Sequence, residues 1–430
     1  MTYHLPYGRS ELQFEVPPGL RVDVAEPRPY PPVPELGAAV RQALANPVGC
    51  GPLASLVTPA SRVCIVITDI TRACPDEALV APMLQEFEKA GVPDGNITIL
   101  VAVGMHRAST PDEKVEKLGA AIVARYRVVD HDAENPAALV DLGLTANGVP
   151  IIFNRIAYEA DLLIATGIVE PHQYAGFSGC RKTLAVGVAG EKMISYTHGA
   201  AMIDHPRTRL ANLDGNPFHE AAMEIAEKAN LRFCINVVKN GDQKICSVKA
   251  GEPKQVFEQL VAIARQVYTV PVPHTYHAVL CGVGFPKDAN LYQASRGPSY
   301  IFFAPTPLLE EGGLLAVLAR CQEGAGEGTG EERFFATMKN APDMQYILHD
   351  ARTNGYKPGE QRAFVMAKVM EKNDVVVVGT ECPDIIRDAH MIPLPTLGDL
   401  FAMVIARYGA DAKVLIVPHS LQTLPYVTNG

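Results

Sequence analysis

The sequence predicts an α/β protein of two domains, each built on a mainly parallel sheet flanked by helices. Three observations carry this: a length of 430 residues, short β-branched apolar runs that alternate with helical patterns, and a second such alternation that begins after a Pro-rich stretch near residue 270. Chains of this length exceed the usual size of one hydrophobic core, so two units are expected, residues 1–270 and 271–430. With 48% hydrophobic and 20% charged residues the chain has the composition of a compact protein, which argues against disorder.

In order along the chain, Leu12, Phe14 and Val16, then Leu20, Val22 and Val24, alternate with polar residues on either side of Pro-Pro-Gly, the pattern of an antiparallel hairpin. A helix is expected from Glu35. VCIVITD (63–69) reads as a strand buried on both faces. Leu79, Val80, Met83, Leu84 and Phe87 share one side of a helix over 76–90 that Gly91 stops. Strands follow at 96–106, 125–132 and 161–169, EKMISYTH (191–198) ends a short helix on His198, and a helix at 217–229, a strand at 231–238 and a helix at 255–268 close the first domain. TVPVPHTYH (269–277) reads as a linker. The second domain has strand patterns at 277–285, 312–321, 374–380 and 412–419, and a Gly/Glu-rich loop at 321–333.

Charge and cysteine usage narrow the function. A net charge of −9 and the lack of Lys/Arg runs speak against a nucleic-acid partner. Nine scattered cysteines without a C-x-x-C pair suggest reduced thiols. The N-terminus lacks a signal-peptide pattern and no apolar run has the length of a membrane span, so a cytoplasmic location without membrane association is expected.

Ligands of parallel sheets bind beyond the carboxyl ends of strands. Asp69, Thr71 and Arg72 follow the first strand, His106 the second, Glu170 and His172 the fourth, and GFSGCRKT (176–183) comes directly after. That octapeptide falls short of a Walker loop, because Arg181 occupies the place of the glycine before the lysine. Each residue also has a plain alternative: a surface histidine, a turn held by an Asp69–Arg72 ion pair, a solvated Lys182, a His198 set against a helix dipole, a Cys180 that is only a small buried residue.

The run GIVEPHQYAGFSGCRKTLAVGVAGEKMISYTH resembles the lactate racemase family, whose members use a nickel-pincer nucleotide. D-x-T-R at 69–72, G-x-H-R at 104–107, DGNPFHE at 214–220 and GFPKDANLYQASRG at 284–297 extend the resemblance across both domains. The resemblance implies a racemase or epimerase of 2-hydroxy acids, with the active site in the cleft between the domains and the second domain closing over the substrate. It implies that Lys182 carries a pyridinium mononucleotide through a thioamide bond, with Asp69, Thr71, Arg72, Ser178 and Gly179 lining the cofactor, and that His198 is the nickel ligand, a role imidazole suits. His106 and His172 would be the acid/bases, Arg72, Gln293 and Arg296 would bind substrate, and cofactor-maturation proteins would be partners. Arg296 stands where the family pattern has lysine, and Cys180 where it commonly has glycine, which leaves open which 2-hydroxy acid is used. Two other readings stand beside it: a dehydrogenase-like enzyme with an exchangeable nicotinamide nucleotide, against which no G-x-G-x-x-G follows a strand, and a non-catalytic hydroxy acid binder.

Overall fold

A computed structural model describes residues 2–357 and 359–428. The chain divides into two compact units, one spanning 29–198 and 205–267, the other made of the first 28 residues, 199–204 and the chain from Tyr268 onward.

In the first unit six strands run in the order Ile245–Gly251, Leu231–Lys239, Leu162–Ile168, Val63–Thr68, Ile97–Ala102 and Arg127–Asp130. All neighbours are parallel except the first pair, an antiparallel edge. Every residue of Val63–Thr68, Ile97–Ala102 and Leu162–Ile168 is buried, which is why these strands read as continuous apolar runs rather than alternating ones. On one face they pack against the helix Asp76–Lys89 through Leu79, Val80, Met83 and Phe87. The chain builds Val63–Thr68 first, adds two strands on one side, then returns to add Leu162–Ile168 on the other. The order therefore reverses between Val63–Thr68 and Leu162–Ile168, and the loops leaving their carboxyl ends diverge to open a crevice there.

The second unit has a wholly parallel sheet in the order Ile392–Leu394, Asp374–Val378, Leu309–Leu318, Tyr276–Gly282, Lys413–Val417 and Arg21–Val24. Ile392–Leu394 is too short to stand out in the sequence, and Arg21–Val24 lies in the alternation expected to form the second arm of a hairpin. The first 28 residues thus belong with the second unit rather than with a domain spanning 1–270, because Arg21–Val24 adds a parallel strand beside Lys413–Val417. The hairpin is also placed differently from expectation. Thr2–Tyr7 pairs with Ser10–Glu15, Tyr7 opposite Ser10, and the tight turn uses Gly8 at φ +59°, a left-handed conformation natural to glycine. Pro17 and Pro18 then act as a break before the edge strand instead of as a hairpin turn.

Within the expected linker, Thr269–Val272 forms a strand parallel to Leu424–Val427. The Gly/Glu-rich loop is shorter than its composition suggests, since the helix Thr329–Asn340 starts inside it, with Glu331 bonding back to the amide of Gly328. Among the described residues no helix is long and apolar enough to cross a membrane.

Leu5 is fully buried in the core of the second unit with Leu280, Leu318 and Val378. Leu5→Ala should lower the stability of that unit by about 2–5 kcal/mol, the range for deleting a buried leucine side chain. Hydrogen exchange of the Tyr276–Gly282 amides reads this. Unchanged protection there would contradict the assignment of the N-terminal hairpin to this core.

Candidate active site

Two groups of side chains meet at the crevice of the first unit. Asp69, Thr71 and Arg72 lie in the loop after Val63–Thr68. The Asp69 carboxylate accepts from the Thr71 hydroxyl at 2.9 and 3.0 Å and meets His106 Nδ1 at 2.6 Å. Burial works to raise the Asp69 pKa, but the bonds from His106 and Thr71 and the charge of Arg72 prevail and hold it below the ordinary carboxylate value. The carboxylate so held fixes the Nδ1–H tautomer of His106 and leaves Nε2 as its basic atom, on a ring whose side chain is 53% exposed. Arg72 and Thr71 are exposed, and the Arg72 amide closes the turn on the Asp69 carbonyl at 3.1 Å.

The second group follows Leu162–Ile168. Pro171–His172 and Gly176–Phe177 form a miniature antiparallel ladder with His172 opposite Gly176. In the loop between them the amides of Tyr174 and Ala175 each donate to His172 Nδ1 at 3.2 Å. The neutral ring therefore carries its proton on Nε2. Burial, then the charges of Lys182 and its neighbours, push the His172 pKa well below the imidazole value.

Gly176 has φ +72°, and a Cβ there would lie 2.2 Å from the Asn212 carbonyl, so only glycine allows this approach. Ser178 is occupied in shaping the loop: its hydroxyl donates to the Ile168 carbonyl at 2.6 Å and accepts from the Glu170 amide at 3.1 Å. Gly179, at φ +124°, precedes the helix Cys180–Ala185.

Lys182 lies on that helix, part-buried and in no ion pair among the described residues. Desolvation, with Arg72 and Arg181 adding to it and Glu170 and Asp69 opposing, brings its pKa down to about 7. Arg181 points the other way. It is 2% exposed, lies 3.9 Å over the Phe257 ring and donates to the Phe177 carbonyl at 2.8 Å. Its place in the octapeptide is thus a packing position rather than a phosphate contact. Cys180 is also fully buried, with its amide on Asn236 Oδ1 at 3.1 Å and its thiol against Cys234.

His198 caps the helix Glu191–Thr197, with Nδ1 3.1 Å from the Ile194 carbonyl and 3.1 Å from the Thr197 hydroxyl. Burial, and then the charge of Lys182, lower its pKa to about 4, so the ring is neutral at pH 7. Donation from Nδ1 to a carbonyl directs the lone pair to Nε2, the arrangement typical of a metal-bound imidazole. Two aromatic side chains not apparent from sequence join the histidines. The Tyr174 ring stands edge-on to both His172 and His198, at 5.7 and 5.8 Å, and Phe218 packs 5.5 Å from His198 and 6.3 Å from His172. Asn216 caps the Phe218 helix and donates to the Tyr174 carbonyl at 2.8 Å, which explains the physical use of DGNPFHE.

Gln293 and Arg296 belong to the second unit, beyond the carboxyl end of Tyr276–Gly282. Asn290 caps the short helix that carries Gln293, and Lys287 Nζ donates to Gln293 Oε1 at 3.3 Å. Arg296 Nε is buried without a hydrogen-bond partner. Among the described residues no group of three or more His, Cys, Asp or Glu side chains could hold a metal ion.

A lysine of lowered pKa and three histidines thus gather at the strand ends of the first unit. Residues 7–211 match the lactate racemase N-terminal domain and residues 275–424 the lactate racemase C-terminal domain. The chain is 33% identical over 386 residues to lactate racemase of Lactiplantibacillus plantarum, covering 89% of each, and 28% identical over 423 residues to that of Thermoanaerobacterium thermosaccharolyticum, covering 98% of each. Its fold matches the lactate racemase apoprotein of the latter organism with a TM-score of 0.86 at 27% identity, over 99% of this chain and 100% of that one. A Thermotoga maritima protein shares the fold at 18% identity and a TM-score of 0.66, covering 93% of this chain and 100% of its own. The protein is an isomerase of the racemase class, and it belongs to the lactate racemase family.

A lysine of pKa about 7 is half uncharged at neutrality. Modification of Lys182 by a small acylating reagent should rise with pH to half its maximum near 7, while exposed lysines respond only at higher pH. Peptide mapping measures this, and a Lys182 profile like that of exposed lysines would contradict the electrostatics above.

Proposed function

We propose that this chain racemises or epimerises a 2-hydroxy acid, lactate or a close relative, with a nickel-pincer pyridinium mononucleotide joined to Lys182. The observation that carries the reading is Lys182 itself: an amine at the crevice, brought to pKa about 7 by burial and adjacent cations, is nucleophilic at neutrality, as bonding its nitrogen to a thiocarboxyl carbon that keeps its sulfur and loses its oxygen would require. His198 fits the metal of such a group, because its Nδ1 is committed to the Ile194 carbonyl and Nε2 is the atom directed for coordination. Gly179 and the loop fixed by Ser178 let backbone approach a nucleotide closely, and Asp69, Thr71 and Arg72 supply polar groups beside it. The cofactor-building proteins are the partners this reading requires.

The bound group supplies a pyridinium ring that takes and returns hydride. The α-hydrogen of a 2-hydroxy carboxylate is poorly acidic beside an ionised carboxylate, so removal as hydride is the easier route. What the protein contributes is proton handling and orientation. His106 takes the hydroxyl proton at Nε2, and the Asp69 carboxylate 2.6 Å from Nδ1 stabilises the imidazolium that results. His172, relieved of the Lys182 charge once that amine is held in an uncharged thioamide, serves the mirror-image pose from its protonated form: it gives a proton to the oxygen of the turned keto acid and is left neutral while His106 keeps the one it took, and the roles exchange in the opposite direction. Arg72, Gln293 and Arg296 bind the substrate. The unpartnered Nε of Arg296 gives it a donor available for a carboxylate, and a planar guanidinium holds a carboxylate by two parallel bonds.

Protein co-expressed with the maturation proteins should convert either single enantiomer of lactate, or of the preferred 2-hydroxy acid, to the racemate, followed by chiral chromatography. His106→Ala and His172→Ala should each lower kcat by at least about 100-fold, the contribution of a positioned acid/base, while nickel stays bound. His198→Ala should lose nickel and keep the Lys182 adduct. Near-normal turnover in either of the first two variants, or full nickel content in the third, would refute the role concerned.

A further inference from the structure

Beneath the D-x-T-R loop lies a buried ion pair that no motif reveals. Lys117, on the helix Pro111–Leu118, reaches inward to Asp76, the first residue of Asp76–Lys89, at 2.9 Å, with side-chain exposures of 8% and 0%. The ammonium has three protons and three acceptors: Asp76, the Arg72 carbonyl at 2.7 Å and the Cys74 carbonyl at 3.1 Å. The carboxylate is equally occupied. Thr68, at the end of Val63–Thr68, donates to it at 2.8 Å, and Thr166, near the end of Leu162–Ile168, donates to its other oxygen. Thr166 in turn receives the Thr183 hydroxyl on its carbonyl at 3.1 Å, and Thr183 neighbours Lys182 on the helix Cys180–Ala185.

A buried ion pair is weak evidence of stability, because desolvation offsets most of the attraction, and its best use is to fix a conformation. This one spans the two strands that flank the crevice. It grips the loop of Asp69 and Arg72 by its carbonyls and is tied through two threonines to the helix of the anchor lysine. We propose that Lys117 and Asp76 are positioning residues of the active site, setting the D-x-T-R loop, and with it His106 and Arg72, against the helix that carries Lys182. The inference rests on the racemase reading above for what is positioned, but its geometry can be read without cofactor.

Lys117→Met leaves the Asp76 carboxylate buried without its cation and should melt well below the parent. The double variant K117M/D76N removes both charges and should recover most of the lost melting temperature, yet in loaded enzyme its KM for a single enantiomer should stay raised by about 10-fold or more, as misplaced binding groups dictate. In cofactor-free protein the His106 Hε1 resonance should move in the double variant. A gentler pair guards against misfolding: Thr166→Val removes the hydroxyl that Asp76 accepts, parting the ion pair from the strand whose carbonyl still holds Thr183, and should raise KM and shift the resonance in the same direction, whereas Thr166→Ser, which keeps the hydroxyl, should behave as wild type. Wild-type KM and His106 resonance in K117M/D76N or in Thr166→Val would overturn the proposal. Loaded protein without racemase activity but with the resonance shifts would count against the functional reading and leave the positioning role standing.

Discussion

An amine set among positive neighbours at the end of a parallel sheet governs this site. Lys182 cannot easily keep its proton, because burial penalises the charge and Arg72 and Arg181 repel it. The same field reaches His172 and His198, whose rings are held neutral by burial and by Lys182. One electrostatic condition therefore acts on three groups at once: it lowers the charge on the amine and keeps two imidazoles neutral, each with its proton on a defined nitrogen. His106 stands apart. Its Nδ1 faces the Asp69 carboxylate and its side chain is 53% exposed, so the two histidines are held in different surroundings.

The fold produces this condition from simple rules. Strand order reverses between Val63–Thr68 and Leu162–Ile168, so the loops after both strands turn away from each other and leave a crevice. Short hydrogen-bonded devices then fix each side chain: a two-strand ladder under His172, a serine hydroxyl under Glu170, a helix cap under His198. Aromatic packing of Tyr174 and Phe218 against both His172 and His198 joins segments that lie far apart in sequence.

Much of this was legible in the sequence where local chemistry is strong. Fully buried parallel strands announce themselves as β-branched runs, and polar residues directly after them mark the crevice, so Asp69, His106 and His172 could be placed beyond strand ends, and Lys182 shortly after, without a structure. The misses share a cause, dependence on distant partners. Ile392–Leu394 is a strand only because a neighbour offers an edge, and nothing in the alternation of Val22 and Val24 shows that its partner is Lys413–Val417. Lys117 looks like any charged residue on an amphipathic helix, since nothing local reveals that Asp76 and two loop carbonyls await it. The orientation of Arg181, inward over Phe257, was likewise hidden, because its ring partner comes from the helix Pro253–Tyr268, far along the chain.

The most direct measurement is the intact mass of the protein co-expressed with the cofactor-maturation proteins, followed by peptide mapping. A nickel-containing adduct confined to the peptide bearing Lys182, absent from Lys182→Ala, is the result this account predicts. Racemase-competent protein whose Lys182 carries no modification would contradict it.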